Sequence, residues 1–188
     1  MCRNKNVKKL SLAVSLVSIS LVSEAQRLEE ITVIGVVPAG SSIDAAKLAY
    51  PIQTATADDL DNASILNVAD FLRQNFSSVS ANDAQNNPMQ PDIQYRGFTA
   101  SPLLGLAQGL AVYQNGVRIN EPLGDTVNWD LLPQSAIQNL SLGGGTNPLY
   151  GLNSLGGALV IDMKDGFNFE GANVEISAGS FGRTVSNF

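Results

Sequence analysis

Leu110-Ala111-Val112-Tyr113-Gln114-Asn115-Gly116-Val117-Arg118-Ile119 is the most decisively patterned stretch of the chain. Two apolar runs, Leu110–Tyr113 and Val117–Ile119, flank Asn115-Gly116. Both central residues of a type I′ turn need positive φ, which Asn and Gly tolerate, and this turn matches the twist of paired strands. The stretch therefore predicts a tight β-hairpin. Downstream, Leu131 to Ile137 suggests a short helical turn, and Ala158 to Met163 is an apolar strand candidate. Between them, Gly143-Gly144-Gly145 and Gly156-Gly157 bracket a Gly- and Asn-rich connection. Upstream, Ile93-Gln94-Tyr95-Arg96 alternates as a strand does and breaks at Gly97. Asn82 to Pro91 is polar and breaker-rich, which marks a surface loop. Asn67 is placed to cap a helix from Val68 to about Gln74, with Val68, Phe71 and Leu72 at helical spacing and Asp70 in its first turn. Strands interleaved with short helices predict an α+β domain whose compact part runs from about Tyr50 to Lys164.

The two ends differ from this middle. Met1 to Lys9 carries Arg3, Lys5, Lys8 and Lys9, Leu10 to Val22 is uncharged and apolar, and Ser23-Glu24-Ala25 places small residues before Gln26. That order predicts a secretory signal peptide over 1–25. The apolar run is too short to cross about 30 Å of hydrocarbon as a helix, which argues against a membrane anchor. Next comes Gln26 to Val37, where Ile31-Thr32-Val33-Ile34 is β-branched throughout and favours an extended strand. Pro38 to Ser42 then reads as a flexible linker. A strand so tethered is available to pair with another chain, or it is an edge strand of the protein's own sheet. At the other end, Ala172 to Ala178 alternates, Ser180-Phe181-Gly182 resembles a turn, and an extended stretch starts at Arg183. This is the weak pattern of membrane-barrel strands and equally that of a soluble hairpin.

Composition narrows the function. Eleven Lys and Arg stand against seventeen Asp and Glu. Removal of the signal takes away four cations and Glu24, leaving seven against sixteen. Such an acidic chain lacks the basic face that a nucleic-acid partner needs. There is no histidine, and the one cysteine, Cys2, lies within the signal. Ser-His-Asp and Cys-His nucleophilic sites and His or Cys metal ligation are thereby excluded from the mature segment. Asp58, Asp59 and Asp61 lack calcium-loop spacing and fit a solvated helix start. Gly151, Gly156 and Gly157 form no dinucleotide fingerprint. The expectation is a non-enzyme without cofactor or metal.

Five segments in order resemble the N-terminal part of a TonB-dependent outer-membrane receptor. Glu30-Ile31-Thr32-Val33-Ile34 resembles the TonB box, and Ile93-Gln94-Tyr95-Arg96-Gly97-Phe98 the plug's Arg-Gly-Phe motif. Val112 to Arg118 resembles the plug hairpin, and Leu149-Tyr150-Gly151 through Leu155-Gly156-Gly157 the segment before the last plug strand. Gly179-Ser180-Phe181-Gly182-Arg183 resembles the first turn of the barrel. The resemblance implies a TonB box and linker over 26–45, a plug with a mixed sheet and short helices over 46–165, and the first one or two strands of a truncated transmembrane barrel over 166–188. It implies strand pairing between TonB and Glu30, Ile31, Thr32, Val33 and Ile34, and a contact between Arg96 and the barrel wall. It also implies a small-molecule ligand, a ferric siderophore, cobalamin or similar, held by outward loops with Gln85, Asn86, Asn87, Met89, Gln90, Thr99, Ser101 and Gln108 facing it. Location in the outer membrane of a Gram-negative bacterium, with the plug facing the periplasm, goes with this.

The chain also departs from the family. Gly143, Gly144 and Gly145 stand where an Arg-Gly-Pro is usual, which puts in doubt the ion pair that such an arginine is expected to make with the barrel. The residues after Gly166 provide at most two membrane strands, whereas plugged transporters use about 22. An open sheet edge in lipid leaves amide groups unpaired. The expectation is a fragment or a truncated product, with a stand-alone periplasmic binding module as the alternative. A receptor that also signals would carry a further domain between signal and TonB box, where only Gln26 to Glu29 lie.

Overall fold

The computed structural model describes residues 33–35, 42–44, 50–63, 67–83, 86–167, 169–172, 174–182 and 184–187. The signal peptide over 1–25, Glu30, Ile31, Thr32, linker residues 38–41 and Gln85 lie outside the described residues. Strand β1 (Val33–Gly35) pairs antiparallel with β2 (Ser42–Asp44) in a ribbon of their own, Val33 opposite Asp44 and Gly35 opposite Ser42. Ser42, expected in the linker, is thus a strand residue.

Then follow β3 (Ile52–Thr56), α1 (Ala57–Asn62), α2 (Val68–Asn75), β4 (Val79–Asn82), β5 (Asp92–Tyr95) and β6 (Phe98–Ala100). After these come β7 (Leu110–Gln114), β8 (Val117–Arg118), β9 (Ile137–Gly144) and β10 (Gly157–Met163). One mixed sheet has the order β3-β9-β10-β7-β8; β7 and β10 run parallel and every other pair is antiparallel. A second, antiparallel sheet is β4-β5-β6. The expected α+β architecture with a mixed sheet is what forms.

Strand alternation puts two apolar layers on the larger sheet. Leu110 and Val112 of β7, Leu140 and Leu142 of β9, and Leu159 and Ile161 of β10 join Leu60 of α1 and Phe71 and Leu72 of α2 in the main core. Residues of opposite parity, Ala111, Tyr113, Ala158 and Val160, form a smaller layer with Tyr150 and Ile52. Burying each of the large aliphatic side chains contributes about 1.5–3 kcal/mol, so the main layer dominates.

The capping chemistry follows the sequence. Asn67 Oδ1 accepts from the backbone N–H of Asp70 at 2.8 Å, and α2 begins at Val68. Asp59 accepts from both the backbone N–H and the hydroxyl of Thr56 at 2.9 Å, which closes the first turn of α1. The predicted hairpin forms with Gln114 opposite Val117 and φ of 47° at Asn115 and 77° at Gly116. In place of the single helical turn expected over Leu131 to Ile137, there are two 3-10 turns, Trp129–Leu131 and Gln134–Ala136, and Ile137 opens the long strand β9. Pro133, which has no N–H, separates them. Gly143 and Gly144, expected to flank a Gly- and Asn-rich connection, are ladder residues of β9 facing Ala158 and Gly157.

Past these sheets, β11 (Glu175–Ala178) and β12 (Thr184–Asn187) pair antiparallel about a 3-10 turn at Ser180–Gly182.

Candidate functional site

The Arg-Gly-Phe segment acquires its physical meaning from the turn it makes. β5 and β6 are joined by Arg96 and Gly97 alone, both at positive φ (50° and 87°), with Tyr95 opposite Phe98. Phe98 then fills a slot between two glycines. A Cβ at Gly156 would stand 2.5 Å from Phe98 Cβ, and one at Gly109 would stand 2.7 Å from its Cδ1. The slot is locked by the Gly156 N–H donating to Gly109 O at 2.9 Å. Arg96 is exposed, its guanidinium 5.1 Å from the centroid of the Tyr95 ring. A Cβ at Gly144 would lie 2.5 Å from Tyr95 Oη and 3.0 Å from Arg96 Nη1. The glycine in β9 therefore makes room for the Tyr95–Arg96 pair, and this accounts for a glycine at that position of the ladder.

From β6 the chain enters the loop 101–108. The Ser101 hydroxyl hydrogen-bonds the Asp92 carboxylate. The Gln108 side chain accepts from Ser101 N–H at 2.8 Å and donates to the carbonyls of Ser101 and Leu103 at 3.3 and 3.2 Å. Ser101 is 0% exposed and Gln108 8%. The expectation that both face a ligand is corrected here: they are the buried polar frame of the loop, their capacity used up on Asp92 and backbone groups. Thr99 is half-buried and donates its hydroxyl to Ala107 O at 2.7 Å, so it too braces this loop. The large side chains that the loop exposes are Leu104 (68%) and Leu106.

A second loop, 120–125, is absent from the sequence-based expectations, although Asn120-Glu121-Pro122-Leu123-Gly124-Asp125 is breaker-rich. A Cβ at Gly124 would stand 2.6 Å from Leu104 Cδ2, so the two loops touch. Arg118 is its anchor, bonding Asp125 Oδ1 at 3.1 Å, Asn120 Oδ1 at 3.2 Å and the carbonyl of Leu152. Asn120 also accepts from Val112 N–H at 2.7 Å, and Asn153 donates to the other Asp125 oxygen at 2.8 Å. Leu123 sits at the tip, 82% exposed.

The loop 86–90 is tied elsewhere. Asn67 Nδ2 donates to Pro88 O at 2.6 Å, and Asn87 Oδ1 accepts from Met89 N–H, so the residue that caps α2 also holds this loop. Asn86 and Met89 are exposed, while Asn87 and Gln90 are half-buried.

Where the chain enters the larger sheet, Tyr50 Oη lies 3.2 Å from Tyr150 Oη and 3.3 Å from Asn147 Nδ2, and the Tyr113 hydroxyl donates to Tyr150 O at 2.7 Å. Burial, followed by the hydrogen bond with Tyr50, pushes the Tyr150 hydroxyl well above the ordinary tyrosine range. The Tyr150 hydroxyl therefore stays neutral, and its partners tie the start of the larger sheet at Tyr50 to Asn147 and Tyr150. Of the expected pairing strand, Val33 and Ile34 lie in β1, whose other edge is unpaired among the described strands.

A family model described as the TonB-dependent Receptor Plug Domain matches residues 44–158. The chain belongs to the TonB-dependent receptor plug domain family. Solved structures share the fold. The FpvAI–pyocin S2 complex has a TM-score of 0.60 at 15% identity, over 82% of this chain and 18% of that one. P. aeruginosa FpvA bound to heterologous pyoverdines has 0.54 at 16%, over 78% and 18%. A double mutant of the Serratia marcescens hemophore receptor HasR, in complex with HasA and heme, has 0.52 at 16%, over 72% and 21%. The chain spans about a fifth of the length of these structures. No curated protein matches.

Proposed function

We propose that this chain is the plug and energy-coupling segment of an outer-membrane receptor that takes up a scarce small molecule, a metal chelate such as a ferric siderophore, or cobalamin. The observation that carries the reading is the plug domain over 44–158. Neighbours of the same fold include a receptor with bound ferric pyoverdine and one with hemophore and heme. The work done is displacement of a plug, with no bond made or broken in the ligand. Loops 86–90, 101–108 and 120–125 face the ligand, through Asn86, Asn87, Met89 and Gln90 on the first and through leucines on the other two. Arg96, exposed and held against Tyr95, makes the contact to the barrel wall. Gly143, Gly144 and Gly145 carry no side chain that could share that contact.

Glu30 to Ile34 pairs with TonB by strand addition, in the periplasm. The open edge of β1 offers the backbone groups that such pairing requires. Titrating the periplasmic C-terminal domain of TonB against the chain tests this. Val33→Pro removes a donor and fixes φ, and should weaken binding by about tenfold, the equivalent of one to two backbone hydrogen bonds. Val33→Ala, which keeps the donor, should stay within about threefold. Equal binding by wild type and Val33→Pro would overturn the assignment.

A further inference from the structure

The two touching loops have a chemistry of their own. Leu104, Leu106 and Leu123 are exposed by 68%, 44% and 82%. Their backbones are fixed from below by the Ser101–Asp92–Gln108 frame and the Arg118–Asp125–Asn153 frame. Exposed apolar groups on a scaffold this well tied are a surface for binding. The charge around them is one-sided. Residues 99–109 and 119–131 include Glu121, Asp125 and Asp130 and neither Lys nor Arg. Arg118, which precedes the second loop, is committed to Asp125 and the Leu152 carbonyl. Arg96 lies over Tyr95 beside Gly144 and belongs to the barrel contact proposed above.

We infer that these loops form an apolar platform without cations, and that the side of the ligand facing the plug is hydrophobic and uncharged or cationic. A polyanionic chelate is disfavoured on this face, because a negative group beside Leu123 would meet Glu121, and neither loop segment has a Lys or Arg to offset its desolvation. The inference rests on the receptor reading and sharpens it: it selects neutral or cationic chelates with an apolar rim over anionic ones.

Two fluorescent probes of nearly one skeleton separate the terms. N-phenyl-1-naphthylamine is neutral, and 8-anilinonaphthalene-1-sulfonate adds a negative charge. Both are titrated against the full receptor that carries this plug, and against its Leu104→Ser/Leu123→Ser and Leu123→Lys variants. The expected result is binding of the neutral probe at least tenfold tighter than the sulfonate. The double serine variant should lose that binding, and Leu123→Lys should reverse the preference. Equal affinity for the two probes, or tighter binding of the sulfonate by the wild type, overturns the inference. So does neutral-probe binding that the serine variant leaves unchanged, and so does absence of binding by the wild type, the result expected if the barrel wall covers these leucines. After any of these outcomes the TonB titration with Val33→Pro still tests the receptor reading separately.

Discussion

Gly157 is where backbone geometry makes its sharpest demand. It opens β10 opposite Gly144 and beside Leu110, at φ 135°, a region open in practice to glycine alone. A Cβ there would overlap the carbonyl oxygen of Gly143 and stand 3.1 Å from Gly143 C and Gly144 Cα. All three obstacles are backbone of the neighbouring strand, so no side chain can swing away. Gly157→Ala therefore meets two costs. The dihedral costs about 1–3 kcal/mol. Prising β9 from β10 at this point leaves at least one buried backbone group unpaired, about 1–3 kcal/mol more. The expected loss is about 2–6 kcal/mol, a large part of a typical domain stability of about 5–15 kcal/mol. Gly145→Ala is the control: its φ is 99° and a Cβ there meets nothing within 4 Å, so it bears only the dihedral cost. Urea unfolding of the chain followed by circular dichroism measures both. If Gly157→Ala comes within about 0.5 kcal/mol of Gly145→Ala, a difference no larger than that of an ordinary surface change, the reasoning from the β9–β10 contact is wrong.

Phe98→Ala empties the slot between Gly109 and Gly156 and should cost about 2 kcal/mol, less than for a fully buried ring because Phe98 is half-exposed; the same urea titration reads it. Two hydrogen bonds from Thr56 hold the Asp59 carboxyl below the usual carboxylate range. A depressed folded value gives stability that is present above the unfolded value, about 4, and is lost as pH falls through the folded one. The advantage of wild type over Asp59→Asn should therefore be constant near neutrality and vanish in acid, in thermal melts from pH 7 down. Asp162 is opposite: burial pushes its carboxyl up, so the folded state is penalised above the unfolded value and relieved of that penalty as pH falls. Asp162→Asn should raise the melting temperature at pH 7 and leave it unchanged at pH 3.

The elements legible in the sequence are those whose cause is local. Asn115-Gly116 requires only its own dihedrals, Asn67 acts on Asp70 three residues away, and β10 holds the unbroken apolar run Ala158 to Ile161. β3 is not legible, because Ile52-Gln53-Thr54-Ala55-Thr56 mixes polar with apolar residues and draws its order from β9 and from Gln53, whose amide donates to Ser77 O at 3.1 Å. That Gly143 and Gly144 belong to the ladder is not legible, because their reasons lie far off in sequence: Tyr50 and Tyr150 above one, Tyr95 and Arg96 above the other. Ser101 and Gln108 read as ligand-facing because sequence shows a polar group and not the partner that consumes it. The 120–125 loop carries a turn signal, but its contact with Leu104 depends on packing between segments about twenty residues apart.

The central claim is that the segment around Ile31 to Ile34 couples the plug to an external source of work while the ligand loops bind independently of it. Ligand binding and energised uptake, measured side by side on the full receptor carrying Ile31→Pro or Val33→Pro, test it most directly. Proline withdraws a backbone donor from the pairing strand, and 38–41 lie between that strand and β2. Uptake should be abolished and binding left nearly unchanged, with the alanine variants close to wild type in both. A parallel loss of binding and uptake would contradict the account, since it would make this segment part of the structure that holds the ligand loops in place.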